Sequence, residues 1–156
     1  ASAARLGLLH DNCRRLGITC VQTCLTTDPL SADFDRILVD APCSNTGVMR
    51  RRIDLRWRIR SEAIPRLKAE QCDVLDRVAA RLKPGGRLVY STCSLEPEEN
   101  QQVARALLSR RSELRLQTQR ELLPFRDGVD GAYVAVFDRA PESPATHGPD
   151  RSPAPG

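Results

Sequence analysis

Helical and strand-like periodicities alternate along this 156-residue chain, and the alternation predicts an α/β fold built on a mainly parallel sheet. Two further features point the same way. The run "ILV" at 37–39, inside "DFDRILVD", is continuously apolar, as expected of a strand buried on both faces of a parallel sheet. Both "ILVDAPCS" (37–44) and "LVYSTCS" (88–94) then end in polar, thiol-bearing residues, at the carboxyl end of a strand, where open α/β sheets bind their ligands.

Taken in order, residues 3–16 read as a helix, with Leu6, Leu9, Cys13 and Leu16 on one stripe, Ser2 as cap and Gly17 as stop. "ITCVQTCL" (18–25) reads as a short strand, and the next strand covers about 35–40. A polar, arginine-rich loop occupies 44–60. Residues 61–82 form a long amphipathic helix through Ile64, Leu67, Val74, Leu75, Val78 and Leu82. "KPGG" (83–86) ends that helix and turns into the strand "RLVYSTC". The following helix starts with Pro97 in its first turn, places Glu98 and Glu99 at the positive end of its dipole, and runs to about Arg111. "LRLQ" and "AYVAVFD" (132–138) are closing strands. Residues 1–139 thus read as one α/β unit, and 140–156, with five of the eleven prolines and no core-forming residues, as a disordered tail.

Hydrophobic residues make up 40% of the chain and charged ones 28%, values ordinary for a globular protein. No apolar run approaches the roughly 20 residues of a membrane span, and no basic-then-apolar leader opens the chain. A cytoplasmic, monomeric protein without membrane contact is expected. All basic residues but Lys68 and Lys83 are arginine. Arginine's planar fork suits phosphate and stacks on bases, which fits a nucleic-acid partner; an arginine-rich genome explains the bias equally well.

None of the six cysteines forms a CxxC pair or a Cys/His cluster with zinc-ligand spacing, so no metal is expected. Cys13, Cys20, Cys24 and Cys72 read as small buried hydrophobes. Cys43 and Cys93 differ through their neighbours. Cys93 precedes Pro97 by four residues, close enough for the helix start to favour its thiolate; a plain buried strand-end cysteine is the competing reading. Asp40 stands at the mouth of the sheet, where an acid can accept a hydrogen bond from a ligand or simply close an Asx turn. Pro42 stiffens the loop that carries Cys43.

"FDRILVDAPCSNTGVMRRRIDLRWR", "LKPGGRLVYSTCSLEPEEN" and "DGAYVAVF" together resemble the catalytic domain of the RNA (cytosine-5)-methyltransferases, most closely the bacterial RsmB-like (Sun/Fmu) branch that modifies 16S rRNA. The resemblance extends from residue 1 to about 139. It implies a Rossmann-like methyltransferase fold, S-adenosylmethionine as cofactor and RNA, most naturally 16S rRNA, as substrate. By the same resemblance Cys93 matches the nucleophile that attacks cytosine C6. Cys43 matches the second cysteine, which helps release the methylated product. Asp40 matches the acid between cofactor and cytosine, and Asp28 the acid that contacts the cofactor's adenosine part. The loop "MRRRIDLRWR" stands where the family has an Arg-His-Pro-Asp-like run, with Arg52 and Ile53 replacing His-Pro. Arg50, Arg51, Arg56 and Arg58 are candidates for RNA phosphates, and Trp57 for packing.

The family's glycine-rich cofactor loop does not occur in the 156 residues, so the sequence reads as an N-terminally truncated fold. Weak cofactor binding by the isolated chain and an open sheet edge are expected from that. Three other readings stay open: a tRNA-directed relative, a non-catalytic RNA-binding remnant, and a thiol hydrolase using Cys93. The last lacks an evident base, since His10 falls in the first helix and His147 in the tail.

Overall fold

In the computed structural model the described residues are 3–25, 28–29 and 32–142. They divide into two compact units, Ala1–Ala32 and Asp33–Gly156. Of the tail expected over 140–156, residues 143–156 lie outside the described residues, as does the cap expected of Ser2, while the Ala140 amide donates to the Glu113 carbonyl at 2.9 Å.

In the first unit, α1 spans Ala3–Arg15. It stops where Gly17 takes φ +67°, a left-handed conformation open to a residue without Cβ, and the Ile18 amide closes back onto the Cys13 carbonyl at 2.9 Å. The strand expected at 18–25 is not formed; the segment is irregular, and its cysteines Cys20 and Cys24 are exposed instead of buried. Alternating apolar residues make a strand only where a partner strand takes up their amides, and none does so here among the described residues.

The second unit holds a four-stranded sheet. Its strands are β1 (Phe34–Asp40), β2 (Leu82–Thr92), β3 (Leu114–Leu122) and β4 (Ala132–Arg139), in the spatial order β1-β2-β4-β3. Only β1 and β2 run parallel; β4 is antiparallel to both β2 and β3. The sheet is therefore mixed, not mainly parallel. The short link around a four-residue helix, α5 (Pro124–Asp127), returns the chain as a hairpin, and a hairpin can join only antiparallel strands.

Two helices cover one face: α3 (Ala63–Ala79) packs on β2 and on α4 (Gln101–Arg110), which in turn packs on β3. Leu75, Ala79, Leu88, Tyr90, Val103, Tyr133, Ala135 and Phe137 meet there, all essentially sealed from solvent. Each large apolar side chain so buried contributes about 1.5–3 kcal/mol. The opposite face is more open. Leu38 of β1 is 70% exposed, so β1 is half-buried and not covered on both sides as its apolar run suggested. Among the described residues of this unit β1 forms one edge of the sheet and β3 the other.

Two local boundaries also differ from expectation. The long helix ends at Ala79, because Leu82 already pairs with Phe34 and "KPGG" forms an irregularity inside β2. Three residues of β1 (34–36) face six of β2 (82–87) there, with Gly85 at φ +74°. The helix expected from Pro97 starts at Gln101, eight residues beyond Cys93, because 97–100 form turns whose side chains serve the site below.

Candidate active site

The carboxyl ends of the parallel pair β1 and β2 carry the site. The ladder continues past β1, with the Ala41 amide donating to the Ser91 carbonyl at 3.0 Å. Pro42 and Cys43 follow, and the chain then turns sharply at Asn45, whose φ of +62° makes it the one non-glycine residue in left-handed geometry among the described residues. Asparagine tolerates that region better than most side chains. Thr46–Val48 form a single 3₁₀ turn, and its Gly47 amide donates to the Cys93 carbonyl at 2.9 Å. The Gly131 amide donates to the Gly47 carbonyl at 2.8 Å. A Cβ on Gly47 would lie 2.4 Å from the Gly131 oxygen and 2.8 Å from the Cys93 oxygen, so only glycine lets three chain segments meet here.

This crossing brings the two thiols together. Cys43 Sγ and Cys93 Sγ are 3.4 Å apart although fifty residues separate them in sequence. The Cys93 thiol donates to Asn45 Oδ1 at 2.9 Å, and Asn45 Nδ2 donates to the Cys43 carbonyl at 2.8 Å. With the Cys93 proton on Asn45, the remaining direction for the sulfur pair is Cys43 S–H toward Cys93 Sγ. Burial pushes the Cys43 thiol up to about 12, which keeps it protonated at neutral pH. Asp40 sits exposed at the end of β1, its Oδ1 3.5 Å from Ser91 Oγ and in register with that residue. Asp28, in the other unit, accepts from the Leu25 amide at 2.8 Å in a local turn. The helix help expected for Cys93 from Pro97 is absent in that form, since α4 begins further on.

Behind the thiols lies a buried polar cluster that no motif announced. Glu99 is fully buried and accepts from the Ser44 amide (3.0 Å), the Ser44 hydroxyl, the Ser94 hydroxyl (2.6 Å) and Gln71 Nε2 (2.9 Å). The same Gln71 nitrogen donates to the Pro42 carbonyl at 2.8 Å. Thr92 Oγ1 donates to Asn100 Oδ1 at 2.6 Å, Asn100 Nδ2 donates to the Ser94 carbonyl at 2.9 Å, and Tyr90 OH donates to the Glu99 carbonyl at 2.7 Å. Glu99 thus turns inward and does not sit at the open end of a helix dipole. One signal for the cluster was present in the sequence: Gln71 is a polar residue on the apolar stripe of α3, four positions before Leu75.

The arginine loop flanks the site. Arg50 and Arg51 both pair with Asp130, next to Gly131, while Arg58 pairs with Asp54. Arg56 and Arg60 are exposed and have no ion-pair partner among the described residues. Trp57, expected to pack, is 85% exposed. Its four-residue helix, α2 (Leu55–Arg58), buries Leu55 instead, and a helix that short can turn only one side chain inward. No group of three or more His, Cys, Asp or Glu able to hold a metal occurs among the described residues. Nor is any described helix long and apolar enough to cross a membrane.

The site is thus a helix-backed α/β sheet with two thiols side by side at the carboxyl ends of adjacent parallel strands. The family model for 16S rRNA methyltransferase RsmB/F matches residues 1–138, and the chain belongs to that family. It is 40% identical over 146 residues to ribosomal RNA small subunit methyltransferase B of Vibrio cholerae, covering 86% of this chain and 34% of that protein. Among solved structures it superposes on PH0851 with a TM-score of 0.80 at 32% identity, covering 88% of this chain and 35% of the other. NSun6 from Pyrococcus horikoshii, crystallised with SFG, gives 0.76 at 25% identity, covering 90% and 40%. The chain spans about a third of the length of the curated relatives it matches.

Proposed function

We propose that this chain carries the catalytic thiols of an S-adenosylmethionine-dependent RNA (cytosine-5)-methyltransferase acting on 16S rRNA. The observation that carries the reading is the 3.4 Å approach of Cys43 and Cys93 at the carboxyl ends of the parallel strand pair. Family membership supports the rRNA substrate, and SFG, an S-adenosylmethionine analogue, in the NSun6 neighbour supports the cofactor.

Cytosine C5 is too electron-poor to take a methyl group directly, so a covalent step has to activate it. The Cys93 sulfur, after giving up its proton, bonds to C6 and moves the ring's electron pair to C5. S-adenosylmethionine, when bound, supplies the electrophilic methyl group that C5 takes. Solvent water then takes the C5 proton, the C5–H electron pair reforms the C5–C6 double bond, and the Cys93–C6 pair returns to the sulfur as that bond breaks. Cys43, beside Cys93 and protonated at neutral pH, divides the labour: it stays a neutral hydrogen-bond donor while Cys93 is the attacking sulfur, and it stands next to the adduct when the proton must leave C5. Asp40 is exposed and bonded only weakly, to Ser91, so its carboxylate is available to a cofactor amine or to the cytosine edge. Unpaired Arg56 and Arg60 and the open indole of Trp57 suit a single-stranded RNA segment through phosphate contact and base stacking.

The test is transfer of a labelled methyl group from S-adenosylmethionine to unmodified 16S rRNA by the complete protein, followed by nucleoside analysis. The label should appear as 5-methylcytidine and disappear with Cys93→Ala. Label on another atom, or a Cys93→Ala variant with full activity, would overturn the reading.

A further inference from the structure

We infer that Glu99 is a positioning residue for this reaction: it clamps the two cysteine loops together through the serine that follows each thiol, and thereby sets the sulfur–sulfur spacing. The inference rests on the functional reading above for its purpose, but its geometry stands independently.

Each catalytic loop contains a Cys-Ser pair, Cys43-Ser44 and Cys93-Ser94. Both serine side chains are buried, lie 3.1 Å from each other and converge on Glu99 Oε2. The other carboxyl oxygen, Oε1, takes the Ser44 backbone amide and Gln71 Nε2. Through Gln71 it also reaches the Pro42 carbonyl, so the first loop is gripped on both sides of Cys43. The second loop is gripped at Ser94 by Glu99 and Asn100. β1 and β2 align the two strand ends, but past Ala41 no ladder hydrogen bond joins Cys43 to Cys93. Past that point the loops also meet directly, through the Gly47 amide on the Cys93 carbonyl and the Cys93 thiol on Asn45. The buried carboxyl group adds an acceptor shared by the serines that follow both thiols.

Such an arrangement fits a chemical need. A sulfur that must first attack C6 and then have a neighbour beside the adduct tolerates little error, since about 1 Å of misplacement can cost on the order of 100-fold in rate. Flexible loops do not hold that tolerance alone. A fully buried carboxyl group accepting four hydrogen bonds does, because the Ser44 amide it releases would be left buried without a partner. Glu99 touches neither thiol, so its effect passes through Ser44 and Ser94.

The experiment reads the thiol spacing without RNA or cofactor. Diamide takes two electrons and the two thiol protons from a suitably placed pair, leaving a disulfide and the reduced hydrazide. The rate of the Cys43–Cys93 cross-link, identified by peptide mapping, is measured in the wild-type protein, Glu99→Ala and Glu99→Gln. Thermal melting checks folding, and alkylation of exposed Cys20 checks that ordinary thiol reactivity is unchanged. The wild type should cross-link Cys43 to Cys93 readily, Glu99→Ala at least tenfold more slowly, and Glu99→Gln, which keeps one acceptor oxygen, at least threefold more slowly. In the methyl-transfer assay kcat should fall in the same order with KM for S-adenosylmethionine little changed. A folded Glu99→Ala or Glu99→Gln variant that cross-links at the wild-type rate overturns the inference; if Glu99→Ala does not fold, Glu99→Gln decides. Slowed cross-linking in a protein whose wild type transfers no methyl group would keep the clamp and sink the functional reading instead.

Discussion

Replacing Gly47 by alanine perturbs the point where three chain segments cross. The new Cβ would meet the Gly131 oxygen at 2.4 Å, the Gly131 carbonyl carbon at 2.7 Å and the Cys93 oxygen at 2.8 Å. All three neighbours are backbone atoms, so no side chain can swing aside. Restoring ordinary contact of about 3.4 Å requires a displacement of about 1 Å. Overpacking of this kind costs about 1–3 kcal/mol. Stretching the hydrogen bonds from the Gly47 amide to Cys93 and from the Gly131 amide to Gly47 adds about 1 kcal/mol. A loss of about 2–4 kcal/mol lowers Tm by about 5–15 °C at this chain length. Because the displaced atoms include the Cys93 backbone, methyl transfer should fall by about 100-fold as well. Circular dichroism melting gives the first quantity and initial rates with labelled S-adenosylmethionine the second. Gly7→Ala is the control, since its Cβ meets nothing within 4 Å inside α1 and the change should stabilise by about 0.5–1 kcal/mol. A Gly47→Ala protein that melts within about 1 °C of wild type at an unchanged rate would refute the crossing as described.

Other outcomes follow from the same geometry. Cys43 has its folded pKa raised to about 12 from 9.0, so its neutral form is favoured by folding; its contribution is complete below pH 9 and is lost as pH climbs from 9 towards 12. Urea midpoints between pH 8 and 11 should therefore fall more steeply for wild type than for Cys43→Ala, and equal slopes would contradict the burial argument. Trp57→Ala should leave Tm nearly unchanged, because the indole is exposed, yet weaken RNA binding in a filter or polarisation assay. Arg56→Ala should weaken RNA binding across sequences and reduce the salt slope of the affinity by about 1; an unchanged slope would remove that arginine from the RNA surface.

Much of this was legible in the sequence. The stripe of α3 and the runs of β1, β2 and β4 fall close to their expected places, because hydrophobic periodicity reports which face is buried, whereas α1 forms where expected although Leu9 and Leu16 of its stripe are exposed. The two strand-end thiols and Asp40 were legible as one rim for the same reason: parallel strands put their carboxyl ends side by side. Strand direction was less legible, since an apolar run reads the same forwards and backwards; the hairpin through α5 sets β4 against β3, and the insertion of β4 between β3 and β2 sets it against β2 as well. Residues 18–25 read as a short strand yet pair with no strand among the described residues, because a strand is defined by a neighbour that its own sequence does not name. The inward turn of Glu99 was invisible because glutamate at a helix start has a sufficient local explanation in the dipole, and only the positions of Ser44, Ser94 and Gln71 outweigh it. Trp57 shows the converse: a large aromatic is expected to pack, and its exposure follows from Leu55 taking the inward position of α2.

The most direct test of the central claim is to trap the protein on RNA through its thiols. Wild-type protein, Cys43→Ala and the Cys43→Ala/Cys93→Ala double variant are incubated with S-adenosylmethionine and unmodified 16S rRNA, and denaturing gels reveal protein that stays attached. A covalent complex should accumulate with Cys43→Ala, map to Cys93 and cytosine C6, and vanish in the double variant. A complex that persists without Cys93, or one that fails to form while methylation proceeds normally in the Cys93→Ala protein, would show that the two sulfurs 3.4 Å apart are not partners in methyl transfer.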